Sequence, residues 1–335
     1  MFCTFKAYTK KLIALCLVAT CVFSLATLSG CAKKEPEYIA TLNDVKISND
    51  VFTYFLDMAI TELGVDAPHN ALQDKAVELL STYFKTNSLA NAHGITLSIA
   101  EKAEISEKVN GYWSTYDNYY EKIGVTKETL TKVFTAEAYR ERLTLTYFGT
   151  DGKEEIPLSR IYAYFRTNYV LFQSITGYFT ETDEAGEAIR LPQNEIEALL
   201  IRFQSMADVV NAGEKTMEEA ADYLAESGLQ SSVQTVILHK DDTSYPEGFF
   251  AKMQTIDTRY AAIIASNDYI FLVVKAEADI TSSFFKEKKT EIIKILAGDG
   301  IDPIIESAYN VESSISSDPF NDYLQIVLAA KGEAK

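Results

Sequence analysis

From residue 38 onward the hydrophobic positions fall into two rhythms. Tyr38-Ile39-Ala40-Thr41-Leu42 is apolar and β-branched, Asn43-Asp44 has turn chemistry, and Val45-Lys46-Ile47 returns, which predicts a short hairpin. Ser48-Asn49-Asp50 then offers helix caps. Phe52, Phe55, Met58 or Ala59, and Leu63 recur at helical spacing until Gly64. A longer helix is predicted from about 71 to 93, stopping at Gly94. Ser98 with Glu101 forms a capping-box pattern, in which each side chain bonds the other residue's backbone N–H, and it opens a helix to about Ile123. Gly124 closes that helix, Thr126 caps a further one reaching Tyr147, and Pro157 precedes a short one containing Ile161, Tyr164 and Phe165. Short loops between these helices predict an α-helical first half.

The rhythm changes near residue 169. Tyr169 to Tyr178 is rich in β-branched and aromatic residues and reads as a strand, followed by an acidic, Gly-containing loop over 180–192. Helices follow at about 193–212 and 216–227, the second with a Thr216/Glu219 capping box. Val233 to Leu238 reads as a strand, 240–248 as a loop, 249–254 as a short helix, and 261–265 and 269–275 as weaker strands. The helical period returns from Ser282 to Leu296, breaks at Gly298 and Gly300, resumes near 303–309, and gives way to a mixed tail. The fold class predicted is α+β: helices first, then a small sheet with helices, then helices again. No repeat of fixed period is present, and no linker is long enough to separate free domains.

The first thirty residues are of another kind. They hold Lys6, Lys10 and Lys11, no acidic residue, and an uncharged apolar run of 17 residues from Leu12 to Leu28. A basic start followed by an apolar stretch is the pattern of a secretory signal. It ends in Leu28-Ser29-Gly30-Cys31, which resembles the lipobox of bacterial lipoproteins. That resemblance implies cleavage after Gly30 and a diacylglyceryl group on the Cys31 thiol. The alternatives are an uncleaved anchor, which needs about 20 apolar residues, and an ordinary signal peptide, which favours an A-x-A-like site that residues 26–32 do not clearly supply. The division expected is 1–30 signal peptide, 31–37 lipidated tether, 38–168 helical domain, 169–280 inserted α+β domain, and 281–335 a segment returning to the helical domain. Fully extended, the tether reaches only ~20 Å.

At 335 residues the chain has room for about two domains. With 47% hydrophobic residues, 15 Gly and 7 Pro, it is neither collagen-like nor wholly disordered. A formal charge of −17 argues against nucleic acid as a partner, because a phosphate backbone demands a basic face. Without residues 1–30 the charge becomes −20, since three lysines and no acid leave with them. Such a body is repelled by an anionic membrane surface even when tethered beside it.

Candidate chemistry is sparse. Of Cys3, Cys16, Cys21 and Cys31 only the last would survive cleavage, which excludes a disulfide framework, Cys catalysis and Cys-ligated zinc in the mature chain. His69, His93 and His239 are isolated in sequence and predict neither a metal site nor a partnered catalytic base. No G-x-S-x-G, P-loop, H-E-x-x-H or EF-hand pattern occurs, and no cofactor is expected.

Tyr38–Glu62, followed by "LANAHGITLSIAE" at 89–101, "IGVTKETLTKVF" at 123–134 and "RIYAYFRTNYVLFQSI" at 160–175, resembles in order the opening of bacterial SurA/PrsA-type foldases. "VNAGEKTMEEAADYLAESG" at 210–228 and "NDYIFLVVK" at 267–275 resemble segments of the parvulin prolyl-isomerase domain carried by that family. The resemblance implies a SurA-like helical domain, a parvulin-like insert, and a lipoprotein layout of the Gram-positive PrsA type. It implies an extracytoplasmic protein, lipid-anchored on the outer face of the cell membrane, whose partners are unfolded or newly exported polypeptides. The chain departs from the family where chemistry matters. The two motif histidines align with Ser174 and Ile270, and "LQSSVQTVILH" at 229–239 stands where the Gly-rich segment belongs. An isomerase must bind the twisted amide more tightly than either planar form, and loss of both imidazoles implies a degenerate domain with no catalytic residue to assign.

One constellation remains. Tyr112, Trp113, Tyr116, Tyr119 and Tyr120 share a predicted helix at spacings that permit a stripe. A stripe of this kind either packs a helix–helix contact or stays exposed and receives extended apolar segments of a client chain. The function expected is a membrane-anchored chaperone or foldase. An active isomerase with a divergent site and a solute-binding lipoprotein are the alternatives, the latter calling for repeated strand–helix alternation that the helical opening lacks.

Overall fold

The computed structural model describes residues 38–182, 186–226, 229 and 232–333. Cys31, the 1–30 leader and the 31–37 tether lie outside the described residues. In chain order the elements are β1 (Ala40–Leu42), β2 (Val45–Ile47), α1 (Asn49–Leu63), α2 (His69–Ala92), α3 (Ile99–Lys122), α4 (Lys127–Phe148), α5 (Leu158–Asn168), β3 (Tyr169–Tyr178), β4 (Thr180–Thr182) and β5 (Ala188–Arg190). They continue as α6 (Gln193–Asn211), α7 (Met217–Glu226), β6 (Gln234–His239), α8 (Phe249–Thr255), β7 (Ala261–Ala265), β8 (Tyr269–Lys275), α9 (Ser283–Ala297), α10 (Ile301–Ala308), β9 (Ser313–Ile315) and α11 (Ser317–Glu333). The fold is α+β, its strands gathered in small antiparallel sheets.

The chain forms two compact units, whose boundaries fall inside α2, α3 and α4. Of the described residues, the first comprises those up to Ser81, Lys108–Leu130 and those from Val311 on. Its sheet has the order β2-β1-β9. Asn43 and Asp44, at φ 48° and 65°, form the tight turn that the right-handed twist of a hairpin favours. Asn43 also clasps the far end of the chain: its N–H donates to the Glu312 carbonyl at 3.0 Å, and its Oδ1 accepts from the Glu312 N–H at 2.8 Å. The core is built on α1, where Phe52, Leu56, Ala59 and Ile60 are buried; Phe320, Leu324 and Val327 of α11 are buried as well. Phe52 meets Phe320 edge-on at 6.3 Å.

The second unit, Thr82–Glu107 with Thr131–Asn310, carries a four-stranded sheet of order β6-β3-β8-β7. Successive side chains alternate between its faces. On one face Ile175, Ile270 and Leu272 pack with Leu199 and Phe203 of α6 and Leu224 of α7. Gly177 is required there, since a Cβ would lie 2.8 Å from Phe203 Cζ and 2.9 Å from Ile270 Cγ2. On the other face Val170, Phe172, Phe271 and Val273 pack with Phe249 and Met253 of α8. Two further clusters bury α5 against α9, through Phe165 and Phe285, and α4 against α10, through Leu143, Ile301 and Ile305. Both capping boxes form: the Ser98 N–H donates to Glu101 at 2.8 Å, and the Thr216 N–H to Glu219 at 2.8 Å.

Two expectations need correction. Residues 180–192 are not a plain loop, for Thr180–Thr182 and Ala188–Arg190 pair as antiparallel strands. These strands are short and almost wholly exposed, so no hydrophobic alternation marks them. The mixed tail resolves into β9, which exists by pairing with β1, and α11, whose buried Phe320, Leu324 and Val327 do keep a helical period.

Candidate functional site

The stripe expected on α3 is divided by the fold. Tyr116 has non-helical angles (φ −127°, ψ 15°) and kinks the helix. Just before it, Ser114 and Thr115 hydroxyls both donate to the Gly111 carbonyl, at 2.8 and 3.0 Å. Such back-bonding competes with the backbone ladder and bends helices. Tyr120 is buried, Trp113 and Tyr119 are half-buried, and Tyr112 and Tyr116 are 43% and 50% exposed. The rings remain one cluster centred on Tyr120: Trp113 stacks on it at 6.3 Å, Tyr116 meets it edge-on at 6.2 Å, and Tyr119 lies 5.9 Å away. Tyr112 joins through Tyr116 at 6.3 Å.

Beneath the cluster is a charged knot. The Tyr119 phenol donates to Asp57 Oδ1 at 2.5 Å, and Lys331 Nζ reaches the same oxygen at 2.7 Å. Lys331 also lies 5.7 Å over the Tyr119 ring and donates to Thr61 at 2.8 Å. Burial first, and then the bond to Asp57, holds the Tyr119 phenol far above its ordinary range; burial with the nearby Asp57 charge pushes Tyr120 up to about 12. These two phenols therefore stay protonated at any physiological pH.

A second aromatic surface, missed in the sequence, lies in the other unit. A cleft of about 550 Å³ is lined by Thr176, Ser244, Tyr245, Asn267, Tyr269 and Phe271, among others. Its rings run from core to surface: Phe249 touches Tyr245 at 4.5 Å and Phe271 at 5.0 Å, Tyr269 stacks on Phe271 at 5.9 Å, and Tyr178 meets Tyr269 at 5.6 Å. The alternation of Tyr269 and Phe271 on β8 was the available signal. Nothing in the spacing tied them to Tyr245, which arrives on the 240–248 loop.

Ser174 and Ile270, the positions aligned with the family's histidines, project from opposite faces of the sheet. Ile270 is wholly buried against α6 and α7, whereas Ser174 pairs across the strands with Val273, on the Phe271 side. Its hydroxyl is buried with no partner at hydrogen-bond distance. It lies near enough to the Tyr245 phenol to offset part of the upward shift that burial imposes there. His239 and Ser174 both lie on the β3–β6 ladder, five positions apart in register, since His239 pairs with Tyr169. His239 takes the Asp241 N–H on Nδ1 at 3.2 Å and packs against Tyr169 at 4.8 Å. His93 meets the Tyr147 hydroxyl at 3.1 Å. Among the described residues no cluster of three or more His, Cys, Asp or Glu is arranged to hold a metal, and no helix is long and apolar enough to cross a membrane.

The fold is α+β, and each unit carries a cluster of aromatic rings at its surface. No protein-family model matches the chain, and no curated protein matches it significantly. Among solved structures it is similar to the foldase protein PrsA of Streptococcus pneumoniae str. Canada MDR_19A, at 12% identity over 82% of this chain and 88% of that one, with a TM-score of 0.35. It is also similar to PrsA of Lactococcus lactis (11% identity, 87% and 99% covered, TM-score 0.38) and to PrsA of Bacillus subtilis (14%, 78% and 85%, TM-score 0.31).

Proposed function

We propose that this chain is a membrane-tethered, extracytoplasmic folding factor that holds extended, apolar segments of newly exported polypeptides, and that its parvulin-like domain does not isomerise prolyl bonds. The observation that carries it is the aromatic cleft on the β3/β8 face. Tyrosine rings supply broad contact area at little entropy cost, and an open, ring-lined trough over a sheet suits a chain segment better than a compact metabolite. The exposed Tyr112 and Tyr116 supply a second surface of the same chemistry. Ser174 and Ile270, with no imidazole at either position, support the loss of isomerase chemistry. Leu28-Ser29-Gly30-Cys31 supports lipid attachment at Cys31, where each buried CH₂ of an acyl chain contributes about 0.8 kcal/mol of membrane affinity.

A second reading, an isomerase with a divergent site, is favoured by one observation: the unbonded Ser174 hydroxyl beside Tyr245 at the cleft. Refolding of a client limited by an X-Pro bond separates the two. The full chain at stoichiometric amounts is expected to suppress aggregation and, at substoichiometric amounts, to leave the slow phase unchanged. Replacing Tyr178 and Tyr269, both exposed, with Ser should weaken the suppression. Acceleration of the slow phase that is abolished by Ser174→Ala would install the isomerase; neither effect would remove the folding-factor reading.

A further inference from the structure

The opposite end of the same sheet carries a smaller cavity, of about 360 Å³, where α5, the start of β3 and the end of β8 converge. Two cations line it. The Arg166 guanidinium lies over the Tyr162 ring, 5.9 Å from its centroid, and makes no ion pair with any described carboxylate. Lys275 Nζ donates to the Gln254 carbonyl at 3.1 Å and is likewise without an ion pair. The nearby acids do not serve them. Glu277, in the lining, is taken by Arg259 at 3.0 Å, and Asp257 acts on Lys275 only through space.

The pair differs from the chain's carboxylate-bound cations. Elsewhere Lys75, Lys85, Arg140, Arg142, Lys294 and Lys331 each hold a carboxylate. Burial foremost holds the Lys275 ammonium below its ordinary range; the Asp257 charge opposes that shift, and a smaller repulsion from Arg166 adds to it. An anion placed between them would relieve that repulsion. Arg offers a planar fork suited to two oxygens of one group, and Lys a point charge. Gln254 and Thr258 line the same cavity.

We infer that the Arg166–Lys275 cavity is a binding site for a single oxyanion group, either free phosphate or the terminal carboxylate of a polypeptide. The inference stands apart from the folding-factor proposal and survives its failure. The test follows acylation of Lys275 by an amine-reactive ester in the full chain at fixed ionic strength, mapped by mass spectrometry, with the exposed Lys153 as internal control. Inorganic phosphate, an acetylated tripeptide with a free carboxylate, and its amidated twin are the probes, against chloride.

Bound oxyanion is expected to slow acylation of Lys275 and leave Lys153 unchanged. Protection by phosphate alone assigns a free anion; protection by the free-carboxylate peptide and not its amide assigns a chain terminus. Arg166→Gln, at an exposed helical position, should raise the probe concentration needed by roughly tenfold, the loss expected for a charge-assisted hydrogen bond, with the circular dichroism spectrum unchanged. Equal acylation under every probe, or protection indifferent to Arg166→Gln, overturns the inference.

Discussion

At the scale of single residues, Glu101 joins two jobs. Its carboxylate completes the capping box with Ser98 and receives Arg142 through Nε and Nη2 at 2.5 and 2.7 Å. The Arg142 bonds foremost, then those from Ser98, lower its pKa from an ordinary 4.5 to about 2. A folded-state value below the unfolded one means that the stabilisation is complete above about pH 4.5 and fades as the pH falls through about 2. Glu101→Ala is therefore expected to cost about 1–2 kcal/mol at pH 7, counting a cap and a partly exposed ion pair. Urea denaturation at pH 7 and pH 2 checks it: the gap between variant and parent should shrink at the lower pH. Ser98 and Glu101 were legible as a cap from their spacing alone. Arg142 was not, because it comes from another helix 41 positions away.

At the scale of elements, α11 is fixed to α1 by the charged knot at Asp57. That carboxylate is only 8% exposed and depends on Lys331 and Tyr119 for its partners. Removing one member of a buried pair strands the other. Lys331→Met should lower stability by about 2–4 kcal/mol, and adding Asp57→Asn to it should restore part of the loss; thermal melts of the two variants decide the matter. A double variant no more stable than the single one would mean that the knot is not what secures the helix. Most elements were legible because local chemistry dictates them: Gly64, Gly94 and Gly124 stop helices at positive φ, and Tyr169–Tyr178 spans the strand found. β9 was not legible, because Ser-Ser-Ile becomes a strand only where β1 presents an edge. The kink at Tyr116 was missed for a related reason: the tyrosine spacing fits a straight helix, and the bend comes with hydroxyls reaching back to Gly111.

At the scale of the whole molecule, a strongly acidic chain carries two clusters of aromatic rings at its surface. A net −17 keeps copies mutually repelled, while the exposed tyrosine rings remain the adhesive groups. Tyr112→Ser combined with Tyr116→Ser, both at exposed sites, should reduce capture of an unfolded client and change stability by no more than about 0.5 kcal/mol. Unchanged capture, measured by co-sedimentation against a matched parent, would remove the α3 surface from the proposed function. The five residues of that surface were visible in sequence as a set. The cleft was not, since Thr176, Tyr245 and Tyr269 come from three separate segments that only the sheet brings together.

The clasp between Asn43 and Glu312 spans 269 positions, and that separation sets a clock. A ribosome adding about 5–20 residues per second leaves β1 with one edge unpaired for roughly 15 to 50 seconds before β9 exists. Loop closure over such a span is slow to be rewarded, so the three-stranded sheet should be among the last structures to form. A transcript cut short before residue 313 leaves that edge open permanently. Completion of this one small sheet thus certifies that synthesis has passed Ile315.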